Sequence, residues 1–229
     1  MKYVFPPCDP VGLTVLGTEQ VFPVHRVYCV GRNYAEHARE MGGSPERESP
    51  FFFSKPADAI VSSATLPYPS MTTDLHHEIE LVVALGDGGS RVSVQDARSL
   101  VFGYAVGVDL TRRDLQAAAK KAGRPWDIAK GFDRSGPISA ICPVSVCGHP
   151  ETGLISLSVN GTERQRGDLA QMIWTIPEVI AQLSHYYELQ AGDLIFSGTP
   201  AGVAALEPGD QVSCNIEGIG QLVFSLEAR

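Results

Sequence analysis

The sequence has no apolar run approaching the roughly 20 residues that a membrane-spanning helix needs. Its first ten residues, M-K-Y-V-F-P-P-C-D-P, lack an apolar stretch and are broken by prolines, so no signal peptide is expected. Cysteine is scarce and unpatterned. The five present, Cys8, Cys29, Cys142, Cys147 and Cys214, are odd in number and form no C-x-x-C pair or zinc-spaced cluster. Free thiols in a reducing, cytoplasmic compartment are the expectation. Positive charge is also in deficit, with 18 Lys and Arg against 26 Asp and Glu and a net charge of -8. That balance argues against nucleic acid as a partner, because a phosphate backbone wants a basic face. Repeats, linkers and low-complexity tracts are missing. What remains is ordinary globular composition, 44% hydrophobic and 19% charged over 229 residues. The chain length suits one domain over residues 25–229, with residues 1–24 as a small N-terminal β extension.

The stretch Leu75–Leu85 reads L-H-H-E-I-E-L-V-V-A-L and has the composition of a buried strand from Leu81 onward. Side chains alternate along a strand, so Ile79, Leu81, Val83 and Leu85 share one apolar face. Glu78 and Glu80 share the other, roughly 7 Å apart along the backbone, ahead of Val82 and Ala84. Two carboxylates on a buried face repel and desolvate badly unless a cation or protons compensate them. A divalent metal on oxygen ligands does so, given a third carboxylate. The competing reading is an edge strand with two solvated glutamates.

Other stretches carry further candidates. Asn33–Met41 is expected to be a helix of two or three turns, begun by a capping-box pair, Asn33 and Glu36, and closed by Gly42-Gly43. On it His37 and Glu40 share a face, and a carboxylate beside an imidazole raises its basicity, as a general base requires. An incidental surface pair is the alternative. Lys55 is either a surface cap or a site residue. Asp109 ends a Gly-spaced apolar strand; Thr111 is expected to cap the helix that stops at Gly123, which frees Asp109 and places Arg112 or Arg113, and Gln116, nearby. Lys130 sits in an apolar segment, either snorkelling or aimed into a cavity. Strands are expected over Ile138–Val146 and Leu154–Val159, with a type I′ turn at Asn160-Gly161. Thr175–Glu178 opens a helix whose face Ile176, Ile180, Leu183 and Tyr187 packs on the core. The loop Ser197–Gly202 has backbone N–H groups to offer a carboxylate.

Together, V-G-R-N-Y-A-E-H-A-R-E-M-G (30–42), F-F-F-S-K-P (51–56), H-H-E-I-E-L (76–81), G-V-D-L-T-R-R-D-L-Q (107–116), P-W-D-I-A-K-G-F-D (125–133), N-G-T-E-R-Q (160–165) and S-G-T-P-A-G-V (197–203) resemble the fumarylacetoacetate hydrolase family, in its small acylpyruvate hydrolase branch. The resemblance spans about residues 24–225. It implies an α+β, mainly β fold with a mixed β-roll or sandwich core and a few short helices, in a homodimer. It implies Mg²⁺ or Mn²⁺ held by Glu78, Glu80 and Asp109. It makes His37 and Glu40 a catalytic dyad, on a segment (33–50) that orders as a lid, and gives Lys130 a catalytic role. Arg113, Gln116 and Thr199 fall on substrate-positioning residues. Arg32 and Arg39, near that lid, are candidates to meet a distal carboxylate. Two departures stand out: Ala204 follows Gly202-Val203 where the family has glycine, and Ser197 replaces the usual threonine. The implied reaction is C–C hydrolysis of a small-molecule 2,4-dioxo acid, first of all fumarylpyruvate. Decarboxylation of oxaloacetate, isomerisation or decarboxylation in aromatic catabolism, and a non-catalytic metal-binding scaffold are the rival implications.

Overall fold

The computed structural model describes residues 1–42 and 47–228. Its centre is a six-stranded mixed sheet in the order Cys142–Pro143, Val101–Val108, Ile79–Leu85, Leu194–Phe196, Val27–Gly31, Phe51–Lys55. Only Leu194–Phe196 and Val27–Gly31 run parallel; the other neighbours are antiparallel. Ile79–Leu85 is an interior strand, and all seven of its residues are buried. The edge-strand reading is therefore excluded.

Alternation along Ile79–Leu85 sends its side chains into two cores. Ile79, Leu81, Val83 and Leu85 join a large cluster with the helix Ile176–Leu183 and with a second sheet, ordered Thr162–Asp168, Leu154–Val159, Gln211–Ile216, Gly220–Leu226, Thr65–Leu66. Val82 and Ala84 face a smaller cluster with Leu13, Val15, Phe22 and Val24. These come from the N-terminal hairpin, in which Gly12–Thr14 pairs with Val21–Pro23. Apolar cover on both faces explains a strand with no polar residue after Glu80.

The second sheet is built from hairpins. Asn160 and Gly161 have φ of 51° and 77°, the paired positive values a type I′ turn needs, and they join Leu154–Val159 to Thr162–Asp168. The helix Ile176–Leu183 starts at a capping box between Thr175 and Glu178, and Ile176, Ile180 and Leu183 are buried. Tyr187 lies beyond its end and is partly exposed, so it does not extend the buried face.

Four local expectations need correction. Leu75–Leu85 is not one strand: Leu75–His76 pairs with Thr111–Arg112 and Ala205–Leu206, and the ladder breaks at His77-Glu78. At the break the Ile79 N–H donates to the side chain of Gln165. Thr111 lies in a short strand, and its hydroxyl bonds Asp109 O rather than capping the helix Arg113–Ala122. Asn33 caps nothing either; the helix Ala35–Glu40, only six residues long, starts after Tyr34 without a side-chain cap. Ile138–Val146 holds only the two-residue strand Cys142–Pro143 before a helical turn, because Pro143 has no N–H for a ladder.

Leu157 is fully buried where the second sheet meets the central one. Leu157→Ala is expected to lower stability by about 2–5 kcal/mol, read as a shift in the urea unfolding midpoint. An unchanged midpoint would contradict this packing.

Candidate active site

The break at Glu78 leaves two carboxylates near one end of the central sheet, and Asp109 arrives from the end of the neighbouring strand Val101–Val108, its N–H bonded to Glu78 O at 2.8 Å. One oxygen from each of Glu78, Glu80 and Asp109 lies within 4.8 Å of the others, and all three side chains are buried. The three expected ligands thus come together.

Cations surround them unevenly. Lys130 Nζ lies 2.8 Å from Glu78 Oε2 and 2.7 Å from Asp109 Oδ2. Arg113 Nη2 lies 2.5 Å from Glu78 Oε1. Lys55 Nζ lies 2.8 Å from Asp109 Oδ1, at ion-pair distance but out of line for a hydrogen bond, and it donates to Ser135 Oγ and Lys130 O. Among the described residues Glu80 receives only the Gly198 N–H, at 2.6 Å. Burial raises the pKa of Glu78, but Lys130 and Arg113 outweigh it and hold the group well below the usual carboxylate range. Burial, reinforced by Asp109 and Glu78, pushes Glu80 well above that range. Burial works against the Lys130 charge, yet Asp109 and Glu78 overcome it and raise that pKa. Among the described residues the triad therefore has one carboxyl with no cation at ion-pair distance. Three oxygens so gathered fit a hard divalent cation, which would compensate Glu80 and leave positions open for other oxygen ligands.

His37 Nδ1 lies 3.1 Å from Glu40 Oε2, and Glu40 is held in turn by the Gly202 N–H at 3.1 Å. Gly202 has φ of 98°, and a Cβ there would strike Arg164 O, so glycine is required. The expectation that the 197–202 loop offers N–H groups to carboxylates holds, but the carboxylates are Glu80 and Glu40 of the protein itself. The departure at Ala204 leaves the loop intact: its carbonyl accepts the His77 N–H at 3.3 Å. The expected lid falls partly on residues 43–46, outside the described residues.

Two buried amides position this machinery, Gln165, which has no role in the sequence reading, and Asn33, which has only that of a helix cap there. Gln165 Oε1 accepts from Ile79 N and His77 Nδ1, and its Nε2 donates to Thr199 Oγ1 and Pro200 O. The Thr199 hydroxyl hydrogen is thereby left for a ligand. Burial keeps His77 below its ordinary pKa, so it is neutral, with its proton on Nδ1. Asn33 ties the Ser197 carbonyl to Trp174, which pins the loop to the base of the His37 helix. Lys55 also belongs to the site, resolving its ambiguity. Arg39 does not: it pairs with Glu36 on the surface.

A cavity of about 40 Å³, room for one or two waters, is lined by His37, Glu78, Glu80, Arg113, Gln116 and Lys130, with Arg32 and Thr199 also on its wall. Arg113 Nη1 donates to Gln116 Oε1 at 2.5 Å, so the two act as one fork.

Three comparisons bear on this arrangement. Residues 26–227 match the family model described as "Fumarylacetoacetate (FAA) hydrolase C-terminal". A fumarylpyruvate hydrolase of Ralstonia sp is 45% identical over 180 residues, 78% of this chain and 93% of the relative. An oxaloacetate tautomerase of Escherichia coli is 43% identical over 199 residues, 86% and 90% of the respective chains. The crystal structure of a fumarylpyruvate hydrolase from Pseudomonas aeruginosa in complex with Mn²⁺ and pyruvate superposes with a TM-score of 0.97 at 52% identity, covering 100% of both chains.

Because burial and the neighbouring carboxylates raise the Glu80 pKa, protons compete with a cation for this group, and divalent-metal affinity should rise with pH, by up to about tenfold per unit where one proton is released. Titration calorimetry with Mn²⁺ across pH 5.5–8 in two buffers of different ionisation enthalpy measures this. Affinity independent of pH, with no proton release, would contradict it.

Proposed function

The chain belongs to the fumarylacetoacetate hydrolase family, and on that premise we propose that it is a metal-dependent hydrolase splitting the C3–C4 bond of a 2,4-dioxo acid, fumarylpyruvate first of all, into pyruvate and a carboxylic acid. The observation that carries this reading is that His37, paired with Glu40, lines one small cavity with Glu78 and Glu80, two members of the carboxylate triad that Asp109 completes. The relatives named fumarylpyruvate hydrolase support the substrate class.

Glu78, Glu80 and Asp109 would hold Mg²⁺ or Mn²⁺, which when bound supplies Lewis acidity to a chelating 2-oxo acid and eases loss of an enolate by several kcal/mol. The chain's own groups do the rest. The Arg113–Gln116 fork and the Thr199 hydroxyl orient the substrate's carboxylate end. His37, aligned by Glu40, accepts a proton from the water that attacks C4, a role worth on the order of 10²–10⁴ in rate. An ammonium has three N–H donors, and Lys130 spends two on Glu78 and Asp109. Its third and the Gln116 amide remain to stabilise the oxyanion at C4. The C3–C4 bond then breaks, its electron pair leaves on the pyruvate enolate, and C3 is reprotonated.

A second reading, tautomerisation of oxaloacetate, is favoured by the Escherichia coli relative. It needs a base at C3 but no attacking water. Coupled assay of pyruvate release from fumarylpyruvate, beside oxaloacetate enol–keto interconversion followed by absorbance, separates the two. Pyruvate release is the expected dominant activity; interconversion without pyruvate release would favour the second reading. His37→Ala should cut hydrolysis about 10²–10⁴-fold while Mn²⁺ binding persists. A near-normal rate in that variant would refute the base assignment.

A further inference from the structure

The small cavity at the carboxylates adjoins a larger one. Gly31, Arg32, Lys120 and Trp126 line it and also line an outer cavity of about 430 Å³, walled by Phe51, Ile173 and Trp174. Arg32 and Lys120 thus stand at the junction between them. Arg32 holds a left-handed φ of 59°, uncommon for a residue with a long side chain, and such conformations gather at ligand clamps. Arg113, Gln116 and Lys120 stand at i, i+3 and i+7 on the helix Arg113–Ala122, so they share a face. Lys120 lies about 6 Å, one turn, farther out than Gln116.

Among the described residues neither Arg32 nor Lys120 has a carboxylate partner, whereas Arg26, Arg39, Arg47, Arg98, Arg113 and Arg166 each have one. Glu48 is the one acidic residue among the described residues that line the outer cavity. Two unneutralised cations facing each other repel, and burial together with the charges of Arg32 and Arg113 lowers the Lys120 pKa. An anion between them would relieve that repulsion.

We propose that Arg32 and Lys120 receive a second carboxylate, at the far end of the acyl arm, making this an enzyme for acylpyruvates whose arm ends in an anion. The inference rests on the hydrolase reading above. Scissile carbonyl near Gln116, arm passing between the cavities and terminal carboxylate one helical turn on would suit an arm of two or three carbons. The aromatic walls of Phe51, Trp126 and Trp174 flank that path and favour a flat, unsaturated arm.

The test compares kcat/KM for fumarylpyruvate and acetylpyruvate in the wild type, Lys120→Met, Lys120→Arg and Arg32→Gln, with fumarate as a product inhibitor. Wild type should prefer fumarylpyruvate. Lys120→Met and Arg32→Gln should each reduce the ratio of the two kcat/KM values by about 10–100-fold, the scale of one charged hydrogen bond, and weaken inhibition by fumarate in parallel. Lys120→Arg should restore most of the preference. A ratio unmoved by both neutral variants, or both substrates falling together, would overturn the subsite while leaving the hydrolase intact. Hydrolysis of neither substrate by the wild type would instead overturn the hydrolase reading and the subsite with it.

Discussion

Three carboxylates cannot be buried within 4.8 Å of one another without compensation, and the surrounding architecture supplies it. Glu78 is satisfied by Lys130 and Arg113, and Asp109 by Lys55 and Lys130. Glu80, given only a backbone N–H among the described residues, is the odd one out. An arrangement that buries a carboxyl with a raised pKa and no ion-pair partner of its own spends stability on function. It also explains why the cations come from three separate segments: each fixes a different piece of chain against the end of the central sheet.

The same end of the sheet organises the second half of the site. The Ser197–Gly202 loop continues from the strand Leu194–Phe196 beside Ile79–Leu85, so its N–H groups reach both Glu80 and Glu40. The candidate metal-binding carboxylates and the candidate base are thereby coupled through one loop. Gly198, with φ of 99°, sits where a Cβ would come 2.7 Å from Asn33 Cβ, so the loop and the chain entering the His37 helix are in close contact. A change in the loop would disturb both parts of the chemistry.

Much of this was legible in the residues. Period-two alternation assigned Ile79, Leu81, Val83 and Leu85 to one core and Val82 and Ala84 to the other, and the turn chemistry of Asn160-Gly161 marked its hairpin. The i,i+3 spacing of His37 and Glu40 gave their contact. What sequence could not supply was long-range satisfaction of polar groups. Asn33 looked like a helix cap because its local pattern fits one, yet Trp174 and Ser197, over 140 positions away, claim its amide. Gln165 reads as one more polar residue of a hairpin strand, and only the break at His77-Glu78 makes it a hub. Lys55, in a short strand beginning with three phenylalanines, carried the one available signal: a charge at the end of an apolar run needs a partner.

The central claim is that Glu78, Glu80 and Asp109 close on a single divalent ion. Crystals grown with Mn²⁺ and measured at the manganese absorption edge test it most directly. The account predicts one strong anomalous peak at about 2.0–2.3 Å from an oxygen of each of the three carboxylates. A peak elsewhere, or none between these side chains at saturating Mn²⁺, would contradict it.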